Sequence, residues 1–194
     1  GVAAFIMEAV GQDSGAVPTT KEYHKAAREL CDKYGMLLIY DEVVTGFRLG
    51  MGGAQSIFGT SPDLTVFGKI IGGGYAGSGG IGGRKEIMSM LTAGVDASDN
   101  IKVKVGGTMT ANPLTSLAGI TVIKELERLN VHDALDKASD YFMRGIADLS
   151  EKYDVPAIIY HHSSILHIDV SGVQHVPYCI DSKDPQFQSQ LEDA

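Results

Sequence analysis

Two residues combine reactive chemistry with a telling position: Asp41 and Lys69. Asp41 closes the apolar run Met36–Tyr40, and Lys69 lies just past the run Leu64-Thr65-Val66-Phe67. Eight glycines fall among the twelve residues 72–83 that follow. Glycine tolerates positive φ and lets a backbone approach a ligand closely. If the two runs are parallel strands, the carboxylate and the amine share one rim. That rim, at the carboxyl ends of the strands, is where open α/β sheets bind ligands. A carboxylate and a lysine so placed can hold a cationic ring and form an imine. Singly, each feature has a plainer reading: a solvated strand end beside Glu42, a surface lysine, a flexible loop. Their conjunction is what points to a site.

Other chemistries fit poorly. Gly68-Lys69 is not a P-loop, which needs Gly five residues before this Gly and Ser or Thr after the Lys. Asp63 and Ile70 occupy those positions. No GxGxxG turn precedes the glycine run, so a dinucleotide site has little support. His161, His162, His167 and His175 cluster in sequence, with Cys179 four residues past His175. They lack a second ligand pair at zinc spacing, and no metal site is expected. The 24 acidic and 16 basic residues give a formal charge of −8. That balance argues against a nucleic-acid or membrane-surface partner, both of which favour a basic face. No apolar run reaches the ~18 residues of a membrane span. Cys31 and Cys179, without a CxxC pair, suggest a reducing, cytoplasmic setting rather than a disulfide framework.

The elements that must position Asp41 and Lys69 follow from pattern. Residues 2–9 form a short apolar run of strand length. Thr19 and Glu22 make a capping box for a helix, in which Ala26, Ala27, Leu30, Cys31 and Tyr34 recur at helical spacing before Gly35 stops it. Met36–Tyr40 is a second strand, so the first three elements read as a βαβ unit with parallel strands. Leu64–Phe67 is a third strand, and Ile81 starts a fourth that leads into a helix near 85–92. Asn112-Pro113 opens a helix to about Leu129. Asn130 opens another, with Val131, Leu135, Ala138, Phe142, Ile146 and Leu149 on one stripe. Residues 157–160 and 165–170 are β-rich. The change near residue 130, from glycine-rich α/β to helix and then strands, marks a candidate domain boundary. The 194 residues, opening on an apolar run and closing on a polar one, read as a piece of a longer protein.

Three segments in order resemble the class III aminotransferases, the fold-type I pyridoxal-phosphate (PLP) enzymes. Asp41-Glu42-Val43-Val44-Thr45-Gly46-Phe47-Arg48 resembles their signature. Pro62-Asp63-Leu64-Thr65 followed by Gly68-Lys69-Ile70-Ile71-Gly72-Gly73-Gly74 is similar to their cofactor-lysine segment. Gly106-Gly107-Thr108 with Asn112-Pro113 resembles their phosphate-contacting segment. Gly46-Phe47-Arg48 and Gly52-Gly53-Ala54-Gln55 look most like the family's aminomutase branch. The resemblance implies part of a PLP-binding large domain over 1–130, a mostly parallel sheet with flanking helices. It implies the start of an α+β C-terminal domain over 131–194.

The resemblance also implies roles. Lys69 would carry the cofactor as an internal aldimine and shuttle the α-proton. Asp41 would keep the pyridine nitrogen protonated. Val43 would pack on the ring, and Thr108 would reach the phosphate, commonly that of a neighbouring subunit in a homodimer with a shared active site. Asp13 would lie near the phenolic oxygen or a substrate-gating arginine. The substrate would be a small amino/keto or amino-aldehyde molecule, with amino transfer between two molecules or within one. Departures are Glu8-Ala9 where the family usually has Glu-Pro, and Tyr75–Gly80 in place of a proline-containing turn. A non-catalytic partner or scaffold subunit of the same fold is the alternative, opposed by the intact Asp41–Lys69 pair.

Overall fold

The computed structural model describes residues 1–12, 15–17, 19–91, 103 and 106–170. A four-stranded sheet is built from β1 (Ala4–Glu8), β2 (Leu37–Glu42), β3 (Leu64–Phe67) and β4 (Gly80–Gly83), in that spatial order. β1, β2 and β3 run parallel, and β4 returns antiparallel to β3. Helix α1 (Lys21–Tyr34) links β1 to β2, and the short α2 (Gly53–Phe58) lies between β2 and β3. After β4 come α3 (Lys85–Met88), α4 (Pro113–Arg128) and α5 (Val131–Tyr153). A separate antiparallel hairpin, β5 (Ile158–His162) and β6 (Ile165–Asp169), completes the described chain.

The boundaries differ from expectation by small steps with physical causes. Thr20, not Thr19, caps α1: its hydroxyl accepts from the Tyr23 N–H at 3.2 Å. The Thr19 hydroxyl is engaged elsewhere, donating to the Ala9 carbonyl at 2.7 Å. Gly35 ends the helix in the left-handed conformation, φ 64°, as a C-terminal glycine does. β2 runs two residues past Tyr40, because Asp41 and Glu42 pair with Val66 and Phe67 of β3. Asn112 caps α4 as its sequence predicts, accepting from the Leu114 N–H at 2.9 Å.

The core lies between the sheet and α1, and includes Val10, Cys31, Leu38, Tyr40 and Phe58. Ile165 of the hairpin joins the same cluster. One polar chain runs through it. Thr19 gives its only proton to Ala9, so the His24 Nε2–H donates to Thr19 Oγ1 at 2.8 Å. His24 Nδ1 is then the acceptor for the Tyr40 hydroxyl at 2.6 Å. Burial holds the His24 imidazole below its ordinary value, against the raising effect of a bond at Ala9, and pushes the Tyr40 phenol up to about 12. Both stay neutral, which suits a fully buried pair.

Asp63, at the entry to β3, ties four elements together. Its carboxylate accepts from the Leu38 N–H at 2.7 Å, Arg28 Nη1 at 2.8 Å and Arg84 Nη1 at 3.0 Å. Burial alone raises the Asp63 carboxyl, but the Leu38 bond and the two guanidiniums outweigh it and hold it below the usual carboxylate range. A carboxyl lowered in the folded state stabilises above its unfolded value and loses that contribution as pH falls through the folded value. Asp63→Asn is therefore expected to cost about 3 kcal/mol at neutral pH, the scale of breaking a buried ion pair. Most of that comes from Arg28, whose side chain is 20% exposed, rather than from Arg84 at 59%. Urea unfolding as a function of pH checks this: the gap between wild type and variant should begin to narrow below about pH 3.9 and close only below the lower folded value. A gap constant with pH would remove the electrostatic explanation.

Candidate active site

The parallel register sets the rim. Asp41 pairs with Val66, three residues before Lys69, and Glu8 of β1 pairs with Asp41. The carboxyl ends of β1, β2 and β3 therefore lie side by side. Strand alternation sends Asp41 and Glu42 to opposite faces. Glu42 is buried, 1% exposed, and accepts from the Ala54 N–H at 2.8 Å, Gln55 Nε2 at 3.2 Å and the Thr45 hydroxyl at 3.2 Å. It anchors the Gly52–Gln55 segment and is not a solvated strand end. Asp41 is half-buried, and its Oδ1 accepts from the Val43 N–H at 3.0 Å. That bond fixes the carboxylate and the start of the following turn together. Among the described residues Oδ2 has no protein donor.

Lys69 begins a 3-10 turn over Lys69–Gly72 and is exposed. Its φ is 51°, in the left-handed region. A lysine there stores of order 1–3 kcal/mol of backbone strain, which persists only where the surroundings enforce it. Two close approaches do so. Gly68 lies under Val43: a methyl at Gly68 would stand 3.0 Å from Val43 Cγ1. On the other side, α4 sits backbone-to-backbone on the turn, since a methyl at Gly119 would collide with the Ile71 carbonyl. Val43 and Lys69 are thus brought together through Gly68, and Asp41 is tied to Val43.

Lys69 opens on a cleft of about 530 Å³ lined also by Arg48, Tyr75 and Ser78. Thr108 does not line it. Thr108 is exposed in a neighbouring cleft of about 810 Å³ that includes Ile71, Met109 and Ile120. Gly77 and Ser78 line both clefts. Asp13 lies outside the described residues. Arg48 was quoted in the signature but given no role by sequence reasoning. Its place in the Lys69 cleft depends on a turn that no local pattern announces. Among the described residues no group of three His, Cys, Asp or Glu side chains is placed to hold a metal ion, and no helix is long and apolar enough to cross a membrane.

These features suit PLP. The strand-end carboxylate has an oxygen to spare, Val43 offers an apolar surface beside it, and the lysine amine stands free at the cleft. The architecture is that of the fold-type I PLP transferases. An omega-transaminase from Sphaerobacter thermophilus superposes with a TM-score of 0.77 at 32% identity, over 86% of this chain and 37% of that one. A transaminase with PLP bound superposes with a TM-score of 0.76 at 26% identity, over 86% of this chain and 38% of its own.

Residues 1–182 match the family model described as aminotransferase class-III. The chain belongs to the class III aminotransferases, a family of PLP enzymes. Its curated relatives include a glutamate-1-semialdehyde 2,1-aminomutase from Chloroherpeton thalassium, 47% identical over 78% of this chain and 33% of the relative. Another, of the same name, from Legionella pneumophila (strain Corby) is 42% identical over 80% of this chain and 34% of the relative. The chain thus spans about a third of the length of these relatives.

Proposed function

We propose that this chain contributes the lysine-bearing side of a PLP site for amino-group transfer, as part of an aminotransferase or aminomutase. The observation that carries it is the Asp41–Val43–Gly68–Lys69 arrangement at the carboxyl ends of two parallel strands. In this reading residues 1–130 belong to the cofactor-binding large domain and 131–194 begin the small C-terminal domain.

PLP, when bound, supplies an electron sink for bond breaking at the amine-bearing carbon. The Lys69 amine holds the cofactor, then takes and returns the proton at that carbon. Asp41 Oδ2 holds the proton on the pyridine nitrogen, while Oδ1 stays with the Val43 N–H. Val43 covers one face of the ring and keeps water from it. The Thr108 hydroxyl donates to a phosphate. Its separation from the Lys69 cleft favours service to a partner subunit in a homodimer, since a phosphate needs several donors. The aminomutase names of relatives at 40–47% identity favour amino transfer within a single amino-aldehyde substrate. The test uses the protein expressed from its complete reading frame. Borohydride reduction after PLP loading should leave a pyridoxyl label on the peptide containing Lys69. A label on a different lysine would overturn the assignment.

A further inference from the structure

Arg48 and Lys69 line one cleft, and among the described residues lining it there is no Asp or Glu. In a chain of net charge −8 this is a local reversal. Two cations facing one space attract an anion, and a guanidinium matches a carboxylate in a two-pronged bond. Arg48 is held for that task. Its Nη1 donates to the Val44 carbonyl at 2.7 Å, which fixes one corner of the guanidinium. Its backbone N–H donates to the Thr45 carbonyl at 3.1 Å, closing the turn.

The turn depends on Phe47, a non-glycine residue at φ 62°. Two contacts hold Phe47 there. Its ring packs against Phe67, the last residue of β3, with centroids 6.0 Å apart. Its carbonyl accepts from His132 Nε2 at 2.8 Å, across 85 residues of sequence. A carbonyl has no proton to give, so the ring nitrogen is the donor. The bond is a brace. It joins the first turn of α5 to the loop that carries Arg48.

We infer that Arg48 receives the anionic end of the substrate whose other end reacts at Lys69, and that His132 is the positioning residue that holds Arg48 in place. The inference rests on the PLP reading of Lys69 and adds to it a residue that selects carboxylate-bearing substrates. A carboxylate of the substrate and the phosphate of the cofactor share the chemistry Arg48 recognises, so the experiment separates them.

In the protein from its complete reading frame, Arg48→Gln is expected to raise KM for the carboxylate-bearing substrate by about 10- to 100-fold, the scale of losing a charged hydrogen bond. The Kd for PLP and the pyridoxyl label on Lys69 should not change. Calorimetric titration with succinate, a dicarboxylate without an amine, should show a matching loss of affinity. His132→Ala should raise the same KM more than it lowers kcat, and should speed hydrogen exchange of amides 45–48. His132→Gln, which keeps a donor, should restore both. An unchanged KM and succinate affinity in Arg48→Gln would overturn the proposal, as would a weakened PLP Kd in place of a raised KM. So would a His132→Gln variant no better than His132→Ala at equal melting temperature. An unlabelled wild-type Lys69 would strike the underlying PLP reading, and the succinate titration would still decide whether Arg48 is an anion site.

Discussion

Replacing Lys69 with alanine is expected to abolish amino transfer while leaving the fold in place. The side chain is exposed and makes no hydrogen bond or ion pair among the described residues, so removing it takes no packing away. The left-handed backbone at φ 51° strains alanine about as it strains lysine, so that term cancels between the two. What disappears, on the proposed reading, is the amine that would hold the cofactor and move a proton at the reacting carbon. Proton transfer by a positioned group alone is worth about 10²–10⁴ in rate, and covalent attachment adds to it. Lys69→Arg separates amine from charge. Arginine keeps the cation but does not release its proton in proteins, so it should be as inactive as alanine. Single-turnover and steady-state rates at saturating PLP, together with melting curves, check the pair. Turnover near wild type in either variant would move the role to another amine.

Much of this site was legible because strand ends are legible. Asp41 and Lys69 stand at the ends of short apolar runs, and the runs did become neighbouring parallel strands. The helix caps were legible to within one residue. At α1 the choice between Thr19 and Thr20 was settled by the distant Ala9 carbonyl, which draws the Thr19 hydroxyl away. Longer-range facts left no local trace. Glu42 carries no local sign of its role beside Asp41, yet its carboxylate is buried against Ala54 and Gln55, twelve and thirteen residues later. Asp63 stands just before the run Leu64–Phe67 with no local sign of its ion-pair partner Arg28, which lies 35 residues back. Phe47 and Lys69 adopt left-handed backbone that sequence assigns to glycine, because neighbouring elements enforce it. The sites that pattern misjudges are here the ones held by tertiary contact.

Asp41→Asn is expected to separate the two functions of this carboxylate. Asparagine is nearly the same shape, and its side-chain oxygen accepts from the Val43 N–H as Asp41 Oδ1 does at 3.0 Å. The turn that carries Val43 therefore survives, with Gly68 and Lys69 behind it. The negative charge does not survive. In the proposed site, a neutral amide at Asp41 would no longer favour a proton on the pyridine nitrogen, and the ring would draw electrons less strongly during bond breaking. Removing one preorganised electrostatic partner of this kind costs about 10²- to 10³-fold in kcat. The variant should bind PLP, carry the pyridoxyl label on Lys69 after reduction, and melt close to wild type. Asp41→Ala loses the charge and the acceptor for Val43 together, so it should also weaken PLP binding. Comparing kcat and PLP occupancy across the two variants distinguishes the contributions. If Asp41→Asn turns over normally at full occupancy, Asp41 serves only to shape the turn, and the proton on the ring must be held by a group elsewhere.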